Sequence, residues 1–171
     1  AYTAPSIAGE MNLKPSILGI VFSIGYLGMA IGAFTLGSLS DHIGRRKIIV
    51  ASLITTTIFM GLTATASGVG MLMFYRFITG LAIGAMLASI TAIAAEYSPD
   101  SRRNFLVAFV QATYGVGAVL GGILAAIILK DYGLSWRYVF GIGAILNFAI
   151  LIPVFFLLPE SLAFLLKKQP S

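Results

Sequence analysis

The sequence has no cysteine, one histidine and only six acidic residues among 171 positions. Without cysteine there can be no disulfide framework and no thiolate metal site, and no metal or cofactor is expected. Charge is scarce: 10% of the residues are charged, against roughly a quarter in soluble domains. Apolar residues make up 58% of the chain, and mean hydropathy is +0.98. A soluble chain this short could not hide so much apolar surface, because small domains leave a large fraction of their surface exposed. Disorder is excluded by the same numbers, since no stretch is low-complexity or linker-like. The net charge of +5 does not argue for a nucleic-acid partner, because the positive residues lie between apolar runs. Cytoplasmic membrane loops are built that way. The lipid bilayer is the solvent that fits.

What the chain does have is five long apolar segments, at about 16–38, 48–66, 70–94, 104–129 and 136–158. Each reaches or approaches the roughly 20 residues a helix needs to cross the hydrocarbon. Lipid-spanning sheets must close into barrels of alternating residues, and these runs are continuous. The expected fold class is therefore an all-α integral membrane protein with five transmembrane helices. Arg45, Arg46, Lys47, Arg102, Arg103, Lys167 and Lys168 fall on one side of the membrane, against Lys14, Lys130 and Arg137 on the other. The richer side is expected to be cytoplasmic, in a plasma (inner) membrane, with the N-terminus outside and the C-terminus inside. Trp136 and Tyr138 then fall at the outer interface, which suits their amphipathic rings. Residues 1–13, AYTAPSIAGEMNL, read as the end of an earlier span followed by an outer loop. The chain begins with Ala1 and shows no signal peptide, so a preceding helix is expected to place that end outside.

Three small-xxx-small pairs, Gly28–Gly32, Gly80–Gly84 and Gly117–Gly121, permit close backbone approach between helices. Ordinary static packing accounts for any one of them. Arg76 is the one charged residue well inside a span. Arg76, Gly80, Gly84 and Ala88 share a helical face, so its guanidinium is expected to look along a groove of small residues. A buried arginine usually faces a cavity or a partner, although snorkelling to the outer end of the span would also account for it. If it lines a path, it favours an anion. Tyr26, Gln111, Tyr114 and Asn147 are the other polar groups near mid-span, and interhelical hydrogen bonds explain any one of them as well as ligand contacts do. No span holds Asp or Glu at membrane depth, although a proton-coupled carrier usually needs a titratable group there.

The charges concentrate instead in GSLSDHIGRRKIIV, residues 37–50. Positive-inside anchoring explains Arg45, Arg46 and Lys47 but not Asp41 or the glycines. Asp41 stands four residues before Arg45 and can pair with a nearby arginine. Gly37 permits close helix contact, and Gly44 permits a tight or left-handed turn. The pattern of Gly37, Leu39, Asp41, Gly44, Arg45, Arg46 and Lys47 resembles the loop between helices 2 and 3 of the major facilitator superfamily. RFITGLAIGA (76–85) resembles the family's arginine–glycine motif on helix 4, and GVGAVLGG (115–122) its glycine-rich helix 5 motif. Ala118 stands where many antiporters have proline, which argues against drug–proton antiport. AEYSPDSRRN (95–104) and LPESLAFL (158–165) resemble the loop after helix 4 and the end of helix 6. The set is most similar to the aromatic acid–proton symporters, with sugar-type carriers close behind.

The resemblance implies a carrier of two six-helix halves working by alternating access, of which this chain supplies helices 2 to 6 of the N-terminal half. The first helix, which carries an acidic motif in that symporter group, and the C-terminal half would be its partners. It further implies that Arg76, Tyr26, Gln111 and Tyr114 border the substrate or proton path, ahead of Asn147. Glu96 is expected to pair with the basic turn in a gating network of Gly37, Asp41, Gly44, Arg45, Arg46, Glu96 and Arg103. The expected cargo is a small organic or aromatic acid moved with protons. The competing readings are a sugar-type carrier and a non-transporting fragment or assembly partner. A membrane-embedded enzyme would need His, Asp or Cys clustered at depth, and the only histidine is His42 in the loop.

Overall fold

A computed structural model of the chain describes residues 3–161. A short helix α1 (Ala4–Met11) is followed by five long ones: α2 (Pro15–Ile43), α3 (Arg45–Ala64), α4 (Val69–Tyr97), α5 (Arg103–Ala126) and α6 (Trp136–Leu157). A π-helical turn, Ile127–Asp131, extends α5. The five long helices are long and apolar enough to cross a membrane. Two of them, α2 and α4, outrun at both ends the apolar segments read from sequence. At 29 residues, α2 is about 43 Å long, well over the ~30 Å of hydrocarbon, so Asp41 rides on an extension beyond the apolar core. Within residues 1–13, read as the end of an earlier span and a loop, Ala4–Met11 is helical and is closed by Asn12 in the left-handed conformation.

Pro15 opens α2, where its missing N–H costs nothing. A single residue, Gly44, separates α2 from α3 with φ +109°, a conformation that disfavours any side chain. A Cβ at Gly44 would also lie 2.9 Å from the Glu160 carboxylate. The helices therefore alternate between two ends of the bundle: a basic end at Gly44 and an opposite end at Trp136.

The heart of the bundle is α4, which packs most extensively on α2, then on α3, and only lightly on α5; α6 lies against α3. Glycine makes the α2–α4 contact possible. A Cβ on Gly28 would run into the Phe77 carbonyl, on Gly32 into that of Leu81, on Gly80 into that of Gly25 and on Gly84 into that of Met29. This is backbone against backbone, with Cα–H groups facing carbonyls. The third expected pair behaves differently. Neither Gly117 nor Gly121 has anything within 4 Å of where a Cβ would stand, because no described helix crosses that face of α5.

At the opposite end, Ile7 of α1, Val21, Ala66, Leu72, Trp136 and Phe140 form an apolar plug. Trp136 is fully buried in it rather than lying at the interface, because α1 folds over it. Tyr138, on the other face of α6, is exposed. Arg137 stitches the rim. Its Nε donates to Glu10 Oε1 at 3.1 Å and its Nη1 to the Ala64 carbonyl at 2.9 Å, while Ser135 Oγ donates to Glu10 Oε2 at 3.0 Å. Desolvation pushes the Glu10 carboxyl up, but the hydrogen bonds from Ser135 and Arg137 outweigh it and hold the group below its ordinary value of 4.5.

Candidate functional site

Two groups of side chains go beyond what packing requires. The first lies at the basic end. Asp41 occupies the last turn of α2 and Arg45 the first of α3, which the one-residue turn at Gly44 brings together. Arg45 Nη2 meets Asp41 Oδ1 at 2.8 Å, and its Nη1 donates to Glu96 Oε1 at the end of α4. Glu96 Oε2 in turn accepts from Ser161 Oγ at 2.6 Å. The Arg46 N–H donates to Glu160 Oε1 at 3.1 Å and its guanidinium to the Phe155 carbonyl at 2.6 Å, while the Tyr97 hydroxyl donates to the Glu160 carbonyl at 2.8 Å. The ends of α2, α3, α4 and α6 are thus tied by one network. The Arg45 and Glu96 side chains are only 14% and 21% exposed, so water weakens their pairing less than at an open surface. Gly37 contributes by closeness: a Cβ there would press on Ala88 at 2.9 Å.

Arg103 does not join this network. It pairs with Asp100 at 2.6 Å and donates to the Ala95 carbonyl at 3.1 Å, because a carboxylate three residues back and the open carbonyls at the end of α4 lie within easier reach. Glu160, Ser161 and Tyr97 are members that the sequence reading passed over. The LPES run flagged the first two, but nothing local shows that their partners are 63 to 114 residues away in sequence. Lys167, Lys168 and the rest of LPESLAFL beyond Ser161 lie outside the described residues.

The second group surrounds Arg76, seven residues into α4 and so about 10 Å from its end. Its guanidinium carbon lies 4.5 Å from the centre of the Phe140 ring and 5.7 Å from that of Phe22. Aromatic faces stabilise a cation where water is thin. The groove of small residues expected beside it is filled, since the α2 backbone covers Gly80 and Gly84. Arg76 opens instead on a cavity of about 160 Å³ lined by Phe22, Tyr26, Met29, Thr79, Ile83 and Tyr114. Its Nε is buried without a hydrogen-bond partner among the described residues.

Tyr26 and Met29 also line a larger cavity of about 570 Å³ nearer the basic end, with Ala33, Leu87, Thr91 and Gln111. Arg76, Tyr26, Tyr114 and Gln111 therefore share one concave face between α2, α4 and α5. Gln111 donates to Thr91 Oγ1 at 3.1 Å. Asn147 lies elsewhere, bonding the Leu53 carbonyl and Thr57 Oγ1 across the α3–α6 contact. Chemically, the face offers a fixed cation, two phenols, an amide and apolar walls, a set suited to holding a solute.

Comparison with known proteins agrees with this architecture. The family model described as Major Facilitator Superfamily matches residues 1–170. A gallate transporter of Pseudomonas putida is 33% identical over 98% of the chain and 37% of its own length. The 4-hydroxybenzoate transporter PcaK of the same organism is 31% identical over the same shares. Among solved structures, the proton:xylose symporter XylE matches with a TM-score of 0.84 at 22% identity, over 98% of this chain and 42% of that one. The chain thus spans a little over a third of the length of these curated relatives. With five apolar helices, the glycine seam and the tied basic turn in place, the chain belongs to the major facilitator superfamily, a family of membrane carriers.

Proposed function

We propose that the chain forms most of the first six-helix half of a proton-coupled carrier for a small organic acid, with an aromatic carboxylate as the favoured cargo. The carrying observation is Arg76, a cation held at membrane depth between two rings with an unpartnered N–H and an adjoining cavity. A carboxylate would satisfy that N–H through a charge-assisted bond, and Tyr26 and Tyr114 would flank the ring. The names of the relatives, which transport gallate and 4-hydroxybenzoate, support the same class of cargo. The basic end would face the cytoplasm. There the Asp41–Arg45–Glu96–Ser161 network would hold one of the two states of an alternating-access cycle. No carboxylate lies at membrane depth in the five long helices, so the coupling proton would be carried by another helix of the same carrier.

A sugar-type carrier is the second reading, favoured by the likeness in fold to a xylose symporter. Uptake of labelled 4-hydroxybenzoate and xylose, by the protein as it occurs in its membrane, separates the two. Acid uptake driven by an inward proton gradient, and lost in Arg76→Gln at equal surface expression, is expected. Asp41→Asn should slow uptake without altering insertion. Xylose uptake, or acid uptake indifferent to Arg76→Gln, would overturn the acid reading.

A further inference from the structure

One built feature lies away from the path. At the basic end, a groove between α3 and α6 encloses about 330 Å³, with Arg46, Lys47 and Glu160 around its mouth and Ala51, Ile54 and Phe155 along its walls. Glu160 offsets only one of the two cations at that mouth. Its Oε1 already accepts the N–H groups of Arg46 and Ser161, and its carboxylate lies against Gly44. Arg46 gives one nitrogen to the Phe155 carbonyl, and its Nε is buried with no partner among the described residues. Lys47 is exposed and makes no ion pair among them. Below the mouth, Lys47, Ala51, Ile54 and Ile58 follow one exposed face of α3, and Ile152 and Phe155 are exposed on α6 beside it. From Lys47 to Ile58 is about 16 Å of apolar wall descending from a positive rim.

We infer that this groove holds an anionic phospholipid, its phosphate between Arg46 and Lys47 and one acyl chain along Ala51, Ile54 and Ile58. The charge decides the headgroup. The mouth carries one net positive charge, so a phosphate diester without a cationic substituent, such as phosphatidylglycerol, gains there. A choline headgroup would set its own cation against two more. Each basic residue near a membrane surface is worth about 1 kcal/mol towards anionic lipid, a factor of about five in affinity. The inference rests on the proposed membrane placement of the basic end, but its test measures lipid retention and not transport, so the two can fail separately.

The purified protein, delipidated and titrated with phosphatidylglycerol or phosphatidylcholine, is read by native mass spectrometry. One phosphatidylglycerol is expected to stay bound about fivefold more tightly than phosphatidylcholine. Lys47→Gln should remove most of that preference at an unchanged melting temperature, whereas Lys130→Gln at the other end should leave it. A photo-crosslinker placed at Ile54 should label lipid. Equal retention of the two lipids, a preference that survives Lys47→Gln, or a crosslink into residues 162–171 of the chain itself would each overturn the proposal.

Discussion

Helices α4 and α5 carry the same local pattern, Gly80–Gly84 and Gly117–Gly121, yet the two faces have opposite fates. On α4 the glycines meet the α2 backbone so closely that no Cβ fits, and Gly28 and Gly32 answer them from the other side. On α5 the face is bare among the described residues. Small residues four apart state that a backbone can be approached; they do not say by what. In lipid there is no hydrophobic drive between helices, so association depends on close van der Waals contact and Cα–H···O contacts. Those exist only where two such faces meet in register, as α2 and α4 do.

The sharpest break of this comparison is a matched pair of substitutions. Gly84→Leu drives a side chain into the Met29 carbonyl, and a backbone carbonyl cannot rotate away as a side chain would. The penalty should exceed the ~1–3 kcal/mol usual for overpacking, leaving little folded protein by size-exclusion chromatography in detergent. Gly121→Leu should elute and melt like the parent. If both collapse, the α5 face has a neighbour as close as the one on α4, and the distinction is gone.

A second test asks whether charge or shape closes the α2–α4 seam at its basic end. Arg45→Gln leaves Asp41 and Glu96 without their shared cation. With both Arg45 and Glu96 mostly shielded, a loss of about 1.5–3 kcal/mol is expected, and Glu96→Gln in the same background should add little. Arg102→Gln, an exposed arginine in the next loop, is the control. Equal small losses from Arg45→Gln and Arg102→Gln would leave the seam to the glycines alone.

Much of the architecture was legible, because solvent choice and span length are written in composition and in runs of apolar residues. The basic turn was legible as well: Asp41 and Arg45 are four residues apart, so one helix junction brings them together. Legibility failed where the partner is remote. Trp136 reads as an interfacial ring until α1 covers it. The groove beside Arg76 reads as open until α2 fills it. Glu160 pairs with Arg46 across 114 positions, a distance over which periodicity carries no information. Each miss is a tertiary contact overriding a local pattern.

The smallest expected effect bears on how loosely α5 is held. Away from the bond of Arg103 to the Ala95 carbonyl at its start, its side-chain tether to α4 among the described residues is the bond from Gln111 to Thr91 Oγ1, and Thr91 otherwise bonds its own helix, at the Leu87 carbonyl. Thr91→Val keeps the shape of the side chain and removes the acceptor. Interhelical hydrogen bonds in membranes average about 0.6 kcal/mol, so the melting temperature should hardly move. The change should appear as faster amide exchange in α5, with α2 and α4 unaltered, since the glycine seam does not depend on this bond. Exchange that rises equally in α2 would mean that α5 and the seam unfold as one unit, and that the bare face of α5 is a weak contact rather than an independent one.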